Sequence, residues 1–201
     1  MKTFVTAMCI ALFVAGVSYG EAKDAPGENL VANGSFEAAR ANGLPEKWSA
    51  RNTDATGAKT SVKVDKQESY KGLQSVMLEN TAVKGLVVIQ NVGMIQLSQG
   101  AHYTLTGYIK ADMDSIEPGV PKKDMKRFVY LIVQSYDENK KYADVVYCKP
   151  MIPASTDGWT ELKIENFVLP DKCKSAEVWC VVNGGYTRAW FDNISFVKTD
   201  K

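Results

Sequence analysis

The feature that most constrains this chain is a two-residue apolar period in short runs separated by turn residues. In Arg127–Tyr136, Val129, Leu131 and Val133 share one face, while Phe128, Tyr130, Gln134 and Tyr136 share the other. Glu177–Asn183 sets Val178, Cys180 and Val182 against Trp179, Val181 and Asn183, and Asp144–Lys149 sets Val146 and Cys148 against Val145 and Tyr147. Such alternation is the signature of a pleated strand, and no segment sustains a helical period. The pattern predicts strands at 29–36, 61–64, 74–79, 85–92, 102–110, 127–136, 144–149, 160–169, 177–182 and 188–197. Many short strands with frequent turns predict an all-β, antiparallel β-sandwich. The chain has 201 residues, 45% of them hydrophobic, enough for one substantial core. No linker or repeat divides it, so one domain is expected over 29–198.

The first twenty residues read differently. A basic start, Met1-Lys2, precedes the apolar run Phe4–Val17 and then Ser18-Tyr19-Gly20. This is the pattern of a secretory signal peptide, too short for a membrane span. A flexible leader is expected over 21–28. The predicted location is therefore outside the cytoplasm, extracellular or periplasmic, with no membrane span. Beyond residue 20 the charges balance, which argues against a nucleic-acid partner. The single histidine, His102, reads as a surface residue. It excludes multi-histidine metal sites and leaves little room for nucleophile–histidine catalysis. Cys148, Cys173 and Cys180 are odd in number. An exported protein can form disulfides, so their pairing stays open, but Cys173 and Cys180 would be hard to bridge on one strand. The charged stretch 112–125 reads as a loop, either beside a ligand site or a plain connection.

Several blocks, in order, resemble carbohydrate-binding modules of the family 4/9 type, whose fold is a galactose-binding-like jelly roll. They are Asn29–Glu37 with Pro45-Glu46-Lys47-Trp48, then Tyr70–Ser75, Gly100–Ala111, Gly158-Trp159 and Ala189–Phe196. The resemblance spans the whole domain. It implies a jelly-roll sandwich with a non-catalytic role. It also implies a structural calcium, with Glu37 and Asp192 supplying carboxylates and Ser35 and Gly72 supplying backbone carbonyls; a turn cap is the plainer role for Asp192. Trp48, Trp159, Trp190 and Tyr103 fall in fold blocks and are expected in the core. The NxS sequons at Asn33 and Asn193 also lie in these blocks and read as structural.

Sugar binding in such modules uses a sheet face. Pyranose C–H faces pack on aromatic rings, and hydroxyls meet amides and carboxylates. Tyr130, Tyr136, Tyr147 and Trp179 are the candidate platforms, expected on the solvent side of one sheet. Gln90, Gln134, Glu177 and Asn183 are the candidate hydroxyl partners. Tyr and Trp also occur on strands through propensity alone. The expected ligand is a neutral polysaccharide or oligosaccharide. The alternative is a structural or protein-interaction jelly roll with an extracellular protein partner. An enzyme is not expected: the E-x-D-x-x-E strand of jelly-roll glucanases and the Gln-Ile-His triplet of one lyase type are both missing from the sequence.

Overall fold

In the computed structural model, residues 27–52, 60–115 and 125–199 are described. The expected signal peptide 1–20, most of the leader, and residues 116–124 of the charged loop lie outside them. Among the described residues there is no helix. There are eleven strands: β1 (Trp48–Asn52), β2 (Thr60–Asp65), β3 (Ser75–Asn80), β4 (Leu86–Asn91), β5 (Ile95–Gln96), β6 (His102–Asp112), β7 (Phe128–Asp137), β8 (Tyr142–Tyr147), β9 (Thr160–Val168), β10 (Cys173–Asn183) and β11 (Thr187–Thr199). They form two antiparallel sheets, β1-β4-β10-β7-β8 with β5 beside β10, and β2-β3-β11-β6-β9. The expected antiparallel sandwich is thus what the chain forms.

The core lies between the sheets. Val87, Ile89, Leu131, Val133, Val178, Cys180 and Val182 come from the first sheet, and Val76, Leu78, Leu105, Ile109, Phe191 and Phe196 from the second; all are fully buried. Gly107 marks where the layers meet. A Cβ there would lie 2.5 Å from Ile194 Cδ1 and 3.0 Å from Leu131 Cδ1, so a side chain would push the layers apart. Leu131 therefore points at the second sheet, and its neighbours Tyr130 and Ile132 point away from it.

The two sheets differ on their outer sides. In β6, buried residues alternate strictly with half-buried ones, as in a strand with one wet face. In β4, β7 and β10 both faces are largely buried, including Val88, Ile132 and Val181 on the outer side. The outer face of the first sheet is therefore a recess with an apolar floor rather than an open surface.

Four expectations are corrected. Residues 29–36 are not a strand. Asn29 makes one bridge to Val197, and the chain then turns, with Asn33 and Phe36 at positive φ. The Asn33 amide donates to the Ala38 and Glu46 carbonyls, both at 2.8 Å, and its carbonyl accepts from Ala38 N. These local bonds satisfy backbone groups that a sheet would otherwise pair. They also bear out the structural reading of that sequon. The leader ends earlier than expected, since Gly27 N already donates to the Lys198 carbonyl. Trp190 and Trp159 are not between the sheets. Trp190 lies on the outer face of the second sheet under the Lys110 and Arg188 cations, its indole bonded to Asp65. Trp159 is half-buried against exposed Tyr70. Trp48 and Tyr103 are core, as expected. His102 is half-buried rather than freely solvated.

The strand β10 spans both Cys173 and Cys180, and all three described cysteines are free and buried. Burial pushes each thiol above its ordinary range.

Candidate functional site

Strand register places all eight candidate ligand residues on the outer face of the first sheet. Trp179 pairs with Gln90 on β4 and with Ile132 on β7, and Ile132 pairs with Tyr147 on β8. Glu177 pairs with Gln134, Val181 with Tyr130, and Asn183 with Phe128. Directly paired residues share a face, so these rows run across the recess. Tyr136 lies two residues after Gln134 on β7 and so joins the same group, as its hydrogen bonds show.

A hydrogen-bond cluster organises the middle of the recess. Glu177, 8% exposed, accepts at Oε2 from Tyr136 OH at 2.7 Å and from Trp179 Nε1 at 3.1 Å. Tyr136 OH also lies 2.8 Å from the Gln134 carboxamide. One hydroxyl carries one proton, and the carboxylate makes the stronger bond. The contact is with Gln134 Oε1, so the amide is reassigned with its NH2 toward the hydroxyl, an orientation that leaves its carbonyl open to a donor. Burial and the adjacent Glu177 carboxylate raise the Tyr136 pKa, so the phenol stays a donor. Gln90 is 7% exposed, and its Oε1 has no partner.

The aromatic residues divide by exposure. Tyr147 is 41% exposed and meets Tyr130 at a tilt of 55°, with centroids 5.8 Å apart. Tyr130 is mostly covered, its hydroxyl 3.5 Å from Asn183 Nδ2, and burial raises its pKa. Trp179 is half-buried. The expectation of four solvent-side platforms is corrected accordingly. All four lie on the outer face, but Tyr136 and Tyr130 are wall and hydrogen-bonding groups; only Tyr147 and Trp179 offer ring surface.

A rim residue of the site was missed. Arg51, on the unpredicted strand β1, sets its guanidinium 5.4 Å from the Trp179 ring centroid. A cation three residues after the Trp48 fold motif is no signal without knowing that β1 exists. The floor residues Val88 and Ile132 were also missed: alternation puts Ile132 on the face of Tyr130 and Gln134, but an aliphatic side chain carries no mark of a ligand site.

The expected metal residues gather elsewhere, around the loop 70–74. Asp192 Oδ2 accepts from Tyr70 N and Lys71 N, at 2.9 and 3.0 Å. Glu37 Oε1 accepts from Leu73 N at 2.9 Å and Gln74 N at 3.3 Å. Gly72 has φ +84°, and a Cβ there would lie 2.2 Å from Glu37 Oε1. Ser35 sits in the same segment: Gly34 accepts from Ile194 N and Phe36 accepts from Gln74 Nε2. Asp192 is fully buried, and burial and the nearby Glu37 charge raise its pKa. Neither carboxylate has a cationic partner among the described residues. No three His, Cys, Asp or Glu side chains among them group as a metal site, so any ion here would rely on two carboxylates and backbone oxygens. Such a donor set suits a hard cation.

A sandwich with a recessed face of aromatic rings, amides and a buried carboxylate is a sugar-recognition architecture. The profile of the CBM 4/9 family, described as a carbohydrate binding domain, matches residues 28–184, and the chain belongs to this family. The domain is thus a carbohydrate-binding module, itself non-catalytic. Comparison with curated proteins finds no match. Solved structures share the fold at low identity. The CBM22-1 xylan-binding domain of Xyn10C from Paenibacillus barcinonensis is 16% identical over 88% of this chain and 97% of its own, with TM-score 0.58. TmCBM61, solved with β-1,4-galactotriose, is 14% identical over 85% and 99%, with TM-score 0.54. The enzymatically active domain of tailspike protein 4 from bacteriophage CBA120 is 15% identical over 85% of this chain, with TM-score 0.59. This chain spans only 21% of that tailspike chain.

Proposed function

We propose that the recess on the first sheet binds a neutral polysaccharide or oligosaccharide outside the cytoplasm. The observation that carries this reading is the unpartnered Gln90 Oε1, buried beside Trp179. A buried acceptor without a donor costs about 1–3 kcal/mol, and a ligand hydroxyl would relieve it. With the Gln134 carbonyl and Glu177, the floor is rich in acceptors, which suits hydroxyl donors and disfavours an anion placed at Glu177. Trp179 and Tyr147 supply ring surface for a pyranose, and Arg51 supplies donors at the rim. Export rests on the sequence of residues 1–20. A binding screen of the mature domain on xylan, β-1,4-galactan and mixed β-glucans tests the proposal. Retention on one or more of them is expected. No retention on any, with a protein partner captured instead, would favour the protein-interaction alternative.

A structural calcium is the second part of the reading. The support is the pair Glu37 and Asp192, close enough for one charge to perturb the other and without a counter-cation among the described residues. An ion held by these carboxylates with the Ser35 and Gly72 carbonyls would neutralise them. It would also tie the loop 70–74 to β11 and to the segment 34–37.

A further inference from the structure

Beyond Asn183 the recess opens into a cavity of about 450 Å3, lined by Val83, Lys84, Gly85, Met125, Lys126, Asn183 and Gly184. Two turns frame it and hold each other: Gly184 N donates to the Gly85 carbonyl and Tyr186 N to the Ala82 carbonyl. The cavity differs in charge from the rest of the face. None of its described lining residues is acidic, and Lys84 and Lys126 are exposed there and carry no ion pair among the described residues. Beneath Gly184 lies Arg127, 8% exposed, its guanidinium on the Met113 carbonyl and its Nε without a partner. Lys84, Lys126 and Arg127 thus gather three cations at this end, whereas Glu177 sets a carboxylate in the middle of the recess. Asn183 lies four residues from Trp179 on β10, about 13 Å along the strand. A sugar unit seated at Trp179 would place its neighbours or branches within reach of the cavity.

We propose that this cavity is a subsite for an acidic sugar, a uronic acid unit or branch whose carboxylate meets Lys84 and Lys126 while the neutral backbone lies on the recess. The cavity falls within the usual size range of small-molecule sites. The apolar stems of the lysines, with Val83 and Met125, supply walls for the ring, and the Asn183 amide reaches its hydroxyls. The proposal rests on the reading that the recess binds the backbone, but the subsite can be probed without it.

The experiment is an NMR titration of the mature domain with methyl β-D-glucuronide, following the amide signals of Gly85, Asn183 and Gly184. Methyl β-D-glucoside, which has CH2OH in place of the carboxylate, and sodium acetate are the controls. The glucuronide is expected to shift these signals saturably and more weakly at high salt, and neither control should match it. Lys84→Ala with Lys126→Ala should weaken the glucuronide by about tenfold, the scale of two exposed ion pairs. Lys163→Ala, on β9 of the other sheet, should leave it unchanged. Equal shifts from the glucoside, or from acetate, would overturn the proposal, as would full retention in the double lysine variant. Failure of the recess reading looks different: neutral oligosaccharides would not bind, yet the glucuronide would still shift the cavity signals.

Discussion

Tyr136 on β7 donates its hydroxyl proton to Glu177 on β10 at 2.7 Å, across the middle of the first sheet's outer face. The pair fixes the carboxylate that also holds the Trp179 indole, so three of the expected ligand residues are set by one oxygen. Such pre-positioning limits the ordering cost of binding.

The phenol should report this contact. Its folded-state pKa is raised by burial and by Glu177 from the ordinary value of 10.0. Its contribution to stability is therefore fully present below pH 10 and lost as pH rises through the higher folded value. Glu177→Gln removes the charge but not the burial, so the last tyrosine to ionise in an ultraviolet titration should move down. An unchanged alkaline titration would mean that Glu177 does not act on Tyr136.

Tyr108, on the other sheet, should titrate late for a different reason. Hydrogen bonding to Tyr70 and Glu161 pushes it up to about 12. Tyr70→Phe should bring it down, as read by tyrosine-resolved NMR.

Most of the strand layout was legible in the sequence, because β6, β7, β10 and β11 carry long two-residue periods. The start was not. The run from Asn29 to Phe36 has strand-like composition, yet the Asn33 side chain takes up the backbone groups a ladder would use. The short β1 lacked a period of its own, and with it Arg51 went unseen. The eight face residues were legible because alternation assigns faces, but exposure was not. Whether Tyr136 is platform or wall depends on the sheet's curvature and on Glu177 opposite, which no local pattern encodes. The Trp190 motif identified the fold correctly but its environment wrongly: the ring is covered by Lys110 and Arg188 stems, not by the core.

The carboxylate pair makes a linkage prediction. If calcium occupies the site, adding chelator should lower the melting temperature, and Asp192→Ala should abolish that sensitivity. Without an ion, Asp192 has a raised folded-state pKa, so its contribution is fully present below its ordinary value of 3.8 and lost as pH rises through the raised value. Chelated protein should therefore lose this contribution toward neutral pH, and calcium should restore stability there. Identical melting curves with and without chelator, from protein stripped of metal, would remove calcium from the account.

Gly107 tests the contact between the sheets. Gly107→Val should destabilise the domain by about 1–3 kcal/mol or more, since its side chain meets Ile194 and Leu131 where the layers are closest. Urea unfolding provides the measurement. A neutral result would mean that the layers have slack at this point.

The central claim is that the recess around Trp179 binds a neutral glycan and is not part of the folding core. The most direct test is calorimetric titration of Trp179→Ala beside the unaltered domain, using whichever neutral polysaccharide the screen retains, with circular dichroism and melting temperature measured on both. The account predicts micromolar to millimolar affinity for the unaltered domain. It predicts loss of that binding in the variant, with the β-sheet spectrum kept and the melting temperature lowered only slightly. Undiminished binding by a folded Trp179→Ala protein, or a variant that no longer folds, would contradict it.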